Sequence, residues 1–358
     1  MRYQHLCSPA EIAGLKLKNR IVMPPLVIWA SDESGSINDT HRRHYRARSG
    51  PGLVIVEATA VAPEGRLKGT QLCLFNDSQA EGLGELAGII RANGSVPGIQ
   101  LHHAGGKATP EYTYGETPLV PSVAAFPSDK QCRELSKSDI DRIIGDFVAA
   151  ARRAVRIGFE YIELHGAHGY LGCQFLSPRT NMRTDEYGGS LENRQRFLLE
   201  LYKAVAAEVG SDAVTTVRLG AAENNGITLE EGIATARRLS ELGAPLLHVS
   251  NGHDIPDSPP IPDSGYSRIM QLGIAVKEQT GIPVIGVGDI KRPEDADRLI
   301  ADGLVDLVAV GKGILADPAW ARKALDGNSE EINYCIGCRR CLWFTNPESC
   351  LVRKKQSA

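Results

Sequence analysis

Two histidines three residues apart, in the run His165-Gly-Ala-His168-Gly-Tyr170, are the first residues of this chain able to do chemistry together. If a strand ends at His165 and the chain then turns, both imidazoles face one point. They can then donate to a single oxygen, polarising a carbonyl or holding a phenolate. The same pair also reads as two satisfied core histidines, or as part of a metal site completed by His102 or His103, of which strand alternation turns only one inward. Tyr170 either gives a proton to a substrate or simply packs. Glycines at 288 and 311 follow two later apolar runs, and Lys312 adds a positive charge. Close backbone approach, free N–H groups and a cation describe a phosphate site, which sugar phosphates and nucleotide cofactors both satisfy. Arg218 ends the apolar run Val214–Arg218, where a charge is expensive unless it meets an anion. It is either half of an internal ion pair or a cation beside a ligand that gathers negative charge, such as the N1/O2 edge of a reduced flavin. Gln100, with one donor and one acceptor edge, suits the pyrimidine end of that ring. The turn Pro24-Pro25-Leu26-Val27 offers backbone groups near its N5 and O4.

A second constellation lies near the C-terminal end. Cys335, Cys338, Cys341 and Cys350 crowd into sixteen residues, while Cys7, Cys73, Cys132 and Cys173 are scattered among core-like residues. Three thiolates at Cys-x2-Cys-x2-Cys spacing wrap three corners of a [4Fe–4S] cubane, and a fourth arrives from downstream. Zinc also accepts four thiolates, and unligated thiols are the remaining reading. Leu342-Trp-Phe344, between the last two cysteines, either covers such a cluster or docks a partner.

These residues need a scaffold that brings strand ends together. Eight short runs rich in Val, Ile and Leu, with little alternation, suit strands buried on both faces of a parallel sheet. They are Arg20–Pro24, Gly52–Glu57, Val96–Leu101, Tyr161–Leu164, Val214–Arg218, Leu246–Val249, Pro283–Gly286 and Leu304–Val310. Helical stretches lie between them: Ser138–Ile157 with Ser138 as cap, Ser190–Val209 with Ser190 as cap, Thr228–Leu242, Ser267–Thr280, Pro293–Asp302 and Pro318–Leu325. The fold class is α/β, a (β/α)8 TIM barrel over residues 1–328 with a cysteine-rich extension over 329–358. An open doubly wound sheet requires a glycine-rich turn after the first strand, and Met23-Pro-Pro-Leu-Val27 cannot form one. Gly105–Arg133 and the Pro-rich 255–262 segment read as loops over the barrel's open end. There, with His253–Tyr266, they are expected to set specificity, partly through Tyr112 and Tyr114. Net charge is only −3 and no window approaches the roughly 20 apolar residues of a membrane span. Nucleic acid and membrane are therefore not expected partners, and the cytoplasm is the expected location.

Several motifs, in order, resemble the old yellow enzyme family of NAD(P)H:flavin oxidoreductases. They are Asn19-Arg-Ile-Val-Met-Pro-Pro, Val56-Glu-Ala-Thr-Ala-Val61, Ile99-Gln-Leu-His-His-Ala-Gly105, His165-Gly-Ala-His-Gly-Tyr-Leu171, Gln174-Phe-Leu-Ser-Pro178 and Arg183-Thr-Asp-Glu-Tyr-Gly-Gly-Ser-Leu-Glu-Asn-Arg194. The resemblance implies that FMN is held by Pro24, Pro25, Leu26, Val27, Ala58, Gln100, Arg218, Gly288, Gly311 and Lys312, with Ser250 and Gly252 at the sixth strand end added to that set. It makes His165 and His168 the anchors of a substrate carbonyl and Tyr170 the proton donor. The tail resembles the iron–sulfur segment of 2,4-dienoyl-CoA reductase and trimethylamine dehydrogenase. The implied activity is reduction of an α,β-unsaturated carbonyl, with NAD(P)H as a reductant and the cluster relaying electrons. The alternatives are oxidation of an N-methyl amine with electrons leaving through the cluster, and an electron-transfer subunit of a larger complex. A small-molecule substrate is the first expected partner. The sequence ends at Ala358 without those relatives' nucleotide-binding domain, so an electron-transfer protein enters as a separate chain, and a homo-oligomer stays open. Four departures bear on this. The Cys341–Cys350 loop is shorter than in those relatives. Val27 stands where relatives often carry Cys or Thr, and Lys312 where many carry Arg. The amine dehydrogenases have a Tyr in place of His165, which weakens the amine reading.

Overall fold

The structure, a computed structural model, describes residues 2–262, 264–339, 341, 343 and 350–354. Eight parallel strands close on themselves: β1 (Ile21–Met23), β2 (Leu53–Ala60), β3 (Val96–His102), β4 (Tyr161–Gly166), β5 (Val214–Gly220), β6 (Leu247–Ser250), β7 (Val284–Val287) and β8 (Leu307–Ala309). Each pairs with its neighbour in sequence, and β8 returns to β1 through Val308↔Ile21. The chain is a (β/α)8 TIM barrel. All eight residues of β2 are buried, as the lack of polar alternation requires of a strand covered on both faces.

Two apolar layers hold the barrel. Inside, Val22, Leu53, Ile55, Tyr161, Val214, Ile285 and Leu307 pack against one another and against Ala10, Leu15 and Leu17. The last three belong to a short hairpin, Ala10–Ile12 with Leu15–Leu17, whose apolar face closes the end of the barrel opposite the strands' carboxyl ends. Outside, the strands pack against a ring of helices: α1 (Asp39–Arg46), α2 (Asp77–Ala92), α3 (Lys137–Arg156), α4 (Leu171–Leu176), α5 (Leu191–Val209), α6 (Leu229–Glu241), α7 (Arg268–Thr280), α8 (Pro293–Ala301), α9 (Lys312–Ala316) and α10 (Trp320–Leu325). A last turn, α11, spans Leu351–Lys354. No helix among the described residues is long and apolar enough to cross a membrane.

Ser190, Thr228 and Ser267 each accept a backbone N–H at the head of α5, α6 and α7. For α3 the expected cap is corrected. Ser136, not Ser138, accepts from Asp139 N at 3.2 Å, and the Asp139 carboxylate accepts Ser136 N at 2.9 Å in return. Ser138 sits inside the first turn, where its hydroxyl only meets that of Ser136. The described part of the 329–358 extension starts tied to the barrel: Tyr3 donates to Ser329 Oγ at 2.7 Å, and Asn333 N to Asp317 at 2.9 Å.

The joint between β1 and β2 depends on one buried side chain. Asn19 Oδ1 accepts from Ile21 N at 3.1 Å and Gly52 N at 2.8 Å, while its amide donates to Gly50 O at 2.8 Å. Asn19→Ala strands buried backbone groups and is expected to lower stability by about 2–4 kcal/mol. Urea unfolding followed by circular dichroism reads this, and a midpoint equal to the parent's contradicts it.

Candidate active site

A cavity of about 380 Å³ opens at the carboxyl ends of the strands. Pro24, Pro25, Leu26 and Val27 form one wall, Ala58, Gln100 and Arg218 line its interior, and Gly288, Gly311 and Lys312 bound the far end. His165, His168 and Tyr170 face the same space. Ten of the twelve expected cofactor contacts therefore meet in one cavity together with the three expected catalytic side chains. Ser250 and Gly252 do not line it. The Ser250 hydroxyl turns to His168 Nε2 at 2.8 Å, and Gly252 packs so tightly on Glu223 that a Cβ there would lie 2.4 Å from Oε2.

Arg218 is the electrostatic centre. It is 9% exposed, forms no ion pair among the described residues, and its Nε has no hydrogen-bond partner. Burial depresses the guanidinium's affinity for its proton, and Glu163 opposes that from a distance. Glu163 is fully buried in β4. It accepts Gln100 Nε2 at 2.7 Å and Tyr161 OH at 3.2 Å, and lies 2.8 Å from His248 Nδ1. Burial alone would raise its pKa, but the His248 charge and hydrogen bond, then Arg218 and Gln100, hold it below the ordinary carboxylate value. The internal ion pair considered for Arg218 is thus replaced by a looser network that leaves the guanidinium edge toward the cavity unpaired.

The histidines form a row. His102 Nδ1 lies 3.1 Å from His165 Nδ1, and His165 Nε2 lies 3.0 Å from His168 Nδ1. Burial pushes His102 down to about 3 and the other two well below the imidazole range, so all three rings are neutral near pH 7. Of the two adjacent histidines, His102 lines the cavity. His103 turns away onto Gly65, where its Nδ1 accepts from Gly105 N at 3.1 Å. Tyr170 packs edge-on to His102 with centroids 4.4 Å apart, Lys107 Nζ lies 4.8 Å from its ring centroid, and burial raises its phenol so that it keeps its proton.

At the far end Gly288 adopts φ +141°, and a Cβ there would lie 2.3 Å from Ser267 Oγ and 2.9 Å from Met270 N. Only glycine lets this loop rest on the head of α7. Lys312 is exposed and forms no ion pair among the described residues.

Two contributors were read incompletely from sequence. His102 was one of two candidates to join His165 and His168, with alternation allowing only one inward, and the structure selects it through a partner 63 positions away. Glu57 is fully buried outside the cavity, next to an irregularity in β2 between Val56 and Thr59 that presents Ala58 to the ligand space. Its Oε2 accepts Ile28 N at 2.9 Å, which fixes the loop after β1 where Trp29 takes φ +51°.

A smaller cavity of about 40 Å³ adjoins the first. Cys335, Cys338, Cys341 and Cys350 all line it as free thiols, with Trp343 beside them. Lys312 and Leu315 line both cavities. Trp343 is 3% exposed and packs with Ile28 and Leu315, which matches burial over the cysteines, while Leu342 and Phe344 lie outside the described residues.

A parallel barrel whose mouth joins an unpaired buried guanidinium, a glycine-bounded far end and paired imidazoles defines a flavin-dependent oxidoreductase of barrel type. The chain belongs to the NADH:flavin oxidoreductase / NADH oxidase family, whose model matches residues 5–331. It is 43% identical over 346 residues to an NADH oxidase of Thermoanaerobacter brockii, covering 94% of this chain but only 53% of that protein. It is 41% identical to an NADPH dehydrogenase of Clostridium acetobutylicum over 86% of this chain and 90% of the other. Among solved structures, a 2-naphthoyl-CoA reductase complex superposes with TM-score 0.88 at 27% identity, covering 99% of this chain and 59% of that one. A histamine dehydrogenase from Rhizobium sp. 4-9 superposes with TM-score 0.82 at 30% identity, covering 94% and 50%. The chain thus spans about half the length of several of these relatives.

Glu57 gives a test of the wall behind the flavin-side turn. Burial raises its carboxyl to about 8, against hydrogen bonds from Ile28 and Tyr45 that lower it. The folded protein holds a proton that the unfolded chain releases near 4.5. Stability should therefore fall as pH rises between those values and level off above about 8. Glu57→Gln removes this slope in a series of urea titrations, and an unchanged slope contradicts the protonated state.

Proposed function

We propose that this chain binds FMN in the barrel mouth and a [4Fe–4S] cluster at its four C-terminal cysteines, and reduces α,β-unsaturated carbonyl compounds. NAD(P)H or an electron-transfer protein supplies the electrons. The observation that carries this reading is the buried Arg218 guanidinium, without an ion pair among the described residues, sharing one cavity with the His165–His168 pair.

The residues fit FMN. Arg218 would offset negative charge on the ring system, and Gln100 would hydrogen-bond to it with its remaining amide capacity. The Pro24–Val27 turn would supply backbone groups, and Gly288, Gly311 and Lys312 would hold the phosphate. When bound, FMN supplies hydride transfer. His165 and His168 hold the substrate oxygen through N–H groups and draw charge toward it. Tyr170, its phenol still protonated by burial, delivers a proton to the α-carbon from its Oη. The aromatic and aliphatic walls exclude water from the reacting atoms. Val27 brings no hydroxyl or thiol to the ring, so the turn contributes shape and backbone groups alone.

The tail fits a [4Fe–4S] cluster: all four cysteines ring one small cavity as free thiols. Cys-x2-Cys-x2-Cys with a fourth cysteine downstream is a ligand pattern for such a cluster, which would store single electrons when bound. The shared wall of Lys312 and Leu315 keeps the two proposed groups adjacent.

Oxidation of an amine, expected from the sequence as a methylated one, is the second reading, and the likeness to a histamine dehydrogenase favours amine oxidation in general. His165 Nε2 and His168 Nδ1 lie 3.0 Å apart and can both turn N–H groups to one oxygen, which supports a carbonyl over an ammonium group. With 2-cyclohexen-1-one and NAD(P)H the protein should turn over, and with trimethylamine and an artificial acceptor it should not. The reverse outcome would establish the amine reading. Tyr170→Phe is expected to lower kcat by roughly 10²-fold or more, leaving enone binding close to the parent's. An unchanged kcat removes Tyr170 from proton delivery. Cys338→Ser is expected to lose iron while keeping FMN, as metal analysis and absorbance report. Zinc in the parent, or no iron at all, sinks the cluster.

A further inference from the structure

The imidazole pair has neighbours that the proposed anchoring does not use. The row continues past it at both ends, with His102 Nδ1 3.1 Å from His165 Nδ1 and Ser250 Oγ 2.8 Å from His168 Nε2. His102 and Ser250 are 0% and 2% exposed, and Tyr170 packs against the rings of both His102 and His165. Every nitrogen of His165 and His168 therefore has a partner, and the partners constrain where the protons sit.

A neutral imidazole carries one N–H. For the pair to hold an oxygen, the two nitrogens that face each other, His165 Nε2 and His168 Nδ1, must both carry hydrogen. His165 Nδ1 and His168 Nε2 are then bare, and each needs a donor. The Ser250 hydroxyl donates to His168 Nε2. His165 Nδ1 has one neighbour among the described residues, His102 Nδ1, and that atom donates in only one of its two tautomers.

We infer that His102 and Ser250 are positioning residues that set the tautomers of His165 and His168 from outside, so that two N–H groups point inward at an oxygen accepting from both. This rests on reading the pair as a carbonyl or phenolate anchor. The two ends behave differently. A hydroxyl both donates and accepts, so without a ligand His168 turns its proton onto Ser250 and accepts from His165 Nε2. The His102 end does not invert at the same cost. Its Nε2 is buried with no partner among the described residues: left bare it strands an acceptor, whereas a proton moved there strands a buried donor, the costlier of the two. His165 thus stays in the Nε2–H form with and without ligand, while His168 switches from Nε2–H to Nδ1–H when an oxygen enters. The site selects ligands that bring an acceptor for His165 Nε2–H, and an oxygen with two free lone pairs also draws the His168 proton inward, whereas a group with donors alone leaves His165 Nε2–H unmatched.

Long-range ¹⁵N–¹H spectra of ¹⁵N-histidine-labelled, FMN-loaded protein, recorded with and without 4-hydroxybenzaldehyde, test this directly. The expected result is an unprotonated His165 Nδ1 in both spectra and a change of tautomer at His168 on binding. His165 carrying its proton on Nδ1 in either spectrum overturns the inference. Binding of the same phenol by two variants gives an independent arm. His102→Phe keeps the ring packing and removes the donor, so affinity should fall roughly 10- to 100-fold. His102→Asn restores an N–H near the lost Nδ1 and should recover most of that loss. A His102→Phe protein that binds like the parent overturns the role of His102 while leaving the anchor intact. A parent that binds neither the phenol nor an enone overturns the anchor itself, and the inference falls with it.

Discussion

A buried guanidinium with no ion-pair partner among the described residues is the constraint around which this barrel mouth is arranged. Desolvating Arg218 at the end of β5 is tolerable only if negative charge arrives from somewhere. The protein supplies part of it at a distance through Glu163, which in turn needs Gln100, Tyr161 and His248 to stay ionised inside the barrel. These groups come from strands β3, β4 and β6, so the network also ties the strand ends to one another. What the network withholds, among the described residues, is a carboxylate in an ion pair with Arg218, whose side chain lines the cavity and suits a ligand that becomes anionic there.

The same cavity is neutral at its other functional group. Three imidazoles in a row are all kept uncharged by burial, so the site offers oriented N–H groups and not a second cation. Positive charge is concentrated at Arg218 and at Lys312, near the two ends proposed for the ring and the phosphate. Lys312 and Leu315 also form the partition behind which the four thiols gather, so the second proposed redox group shares a wall with the first. Trp343, packed on Leu315 and Ile28, joins the tail to the loop that Glu57 holds.

The strands were legible because a parallel barrel buries both faces, leaving runs such as Leu53–Val56 apolar at every position. All eight fall within a few residues of the sequence reading. Helices α5, α6 and α7 were legible through Ser190, Thr228 and Ser267. Helix α1 was not, since Asp-Thr-His-Arg-Arg-His-Tyr-Arg shows no apolar stripe and its buried face consists of His41, His44 and Tyr45. Helix α2 hid behind three glycines. One of them, Gly82, is required because a Cβ would lie 2.8 Å from Ile37. The plugging hairpin was invisible because three-residue strands carry too few positions for a pattern.

At the site, residues whose chemistry conflicts with their place were readable: a charge ending an apolar strand, glycines after β7 and β8, paired histidines after β4. Roles set by a partner far along the chain were not. His102 could not be separated from His103, Glu57 looks like strand interior, and Ser250 looks like one more strand-end contact until its hydroxyl is seen to face His168. The account stands or falls on FMN occupying this mouth. Titrating flavin-free protein with FMN while following flavin fluorescence measures that occupancy directly. Saturable quenching that ends at one FMN per chain, and that weakens when Arg218 is replaced by Leu, is the predicted result. Flavin that stays fully fluorescent, or that binds the Arg218→Leu protein equally well, would contradict it.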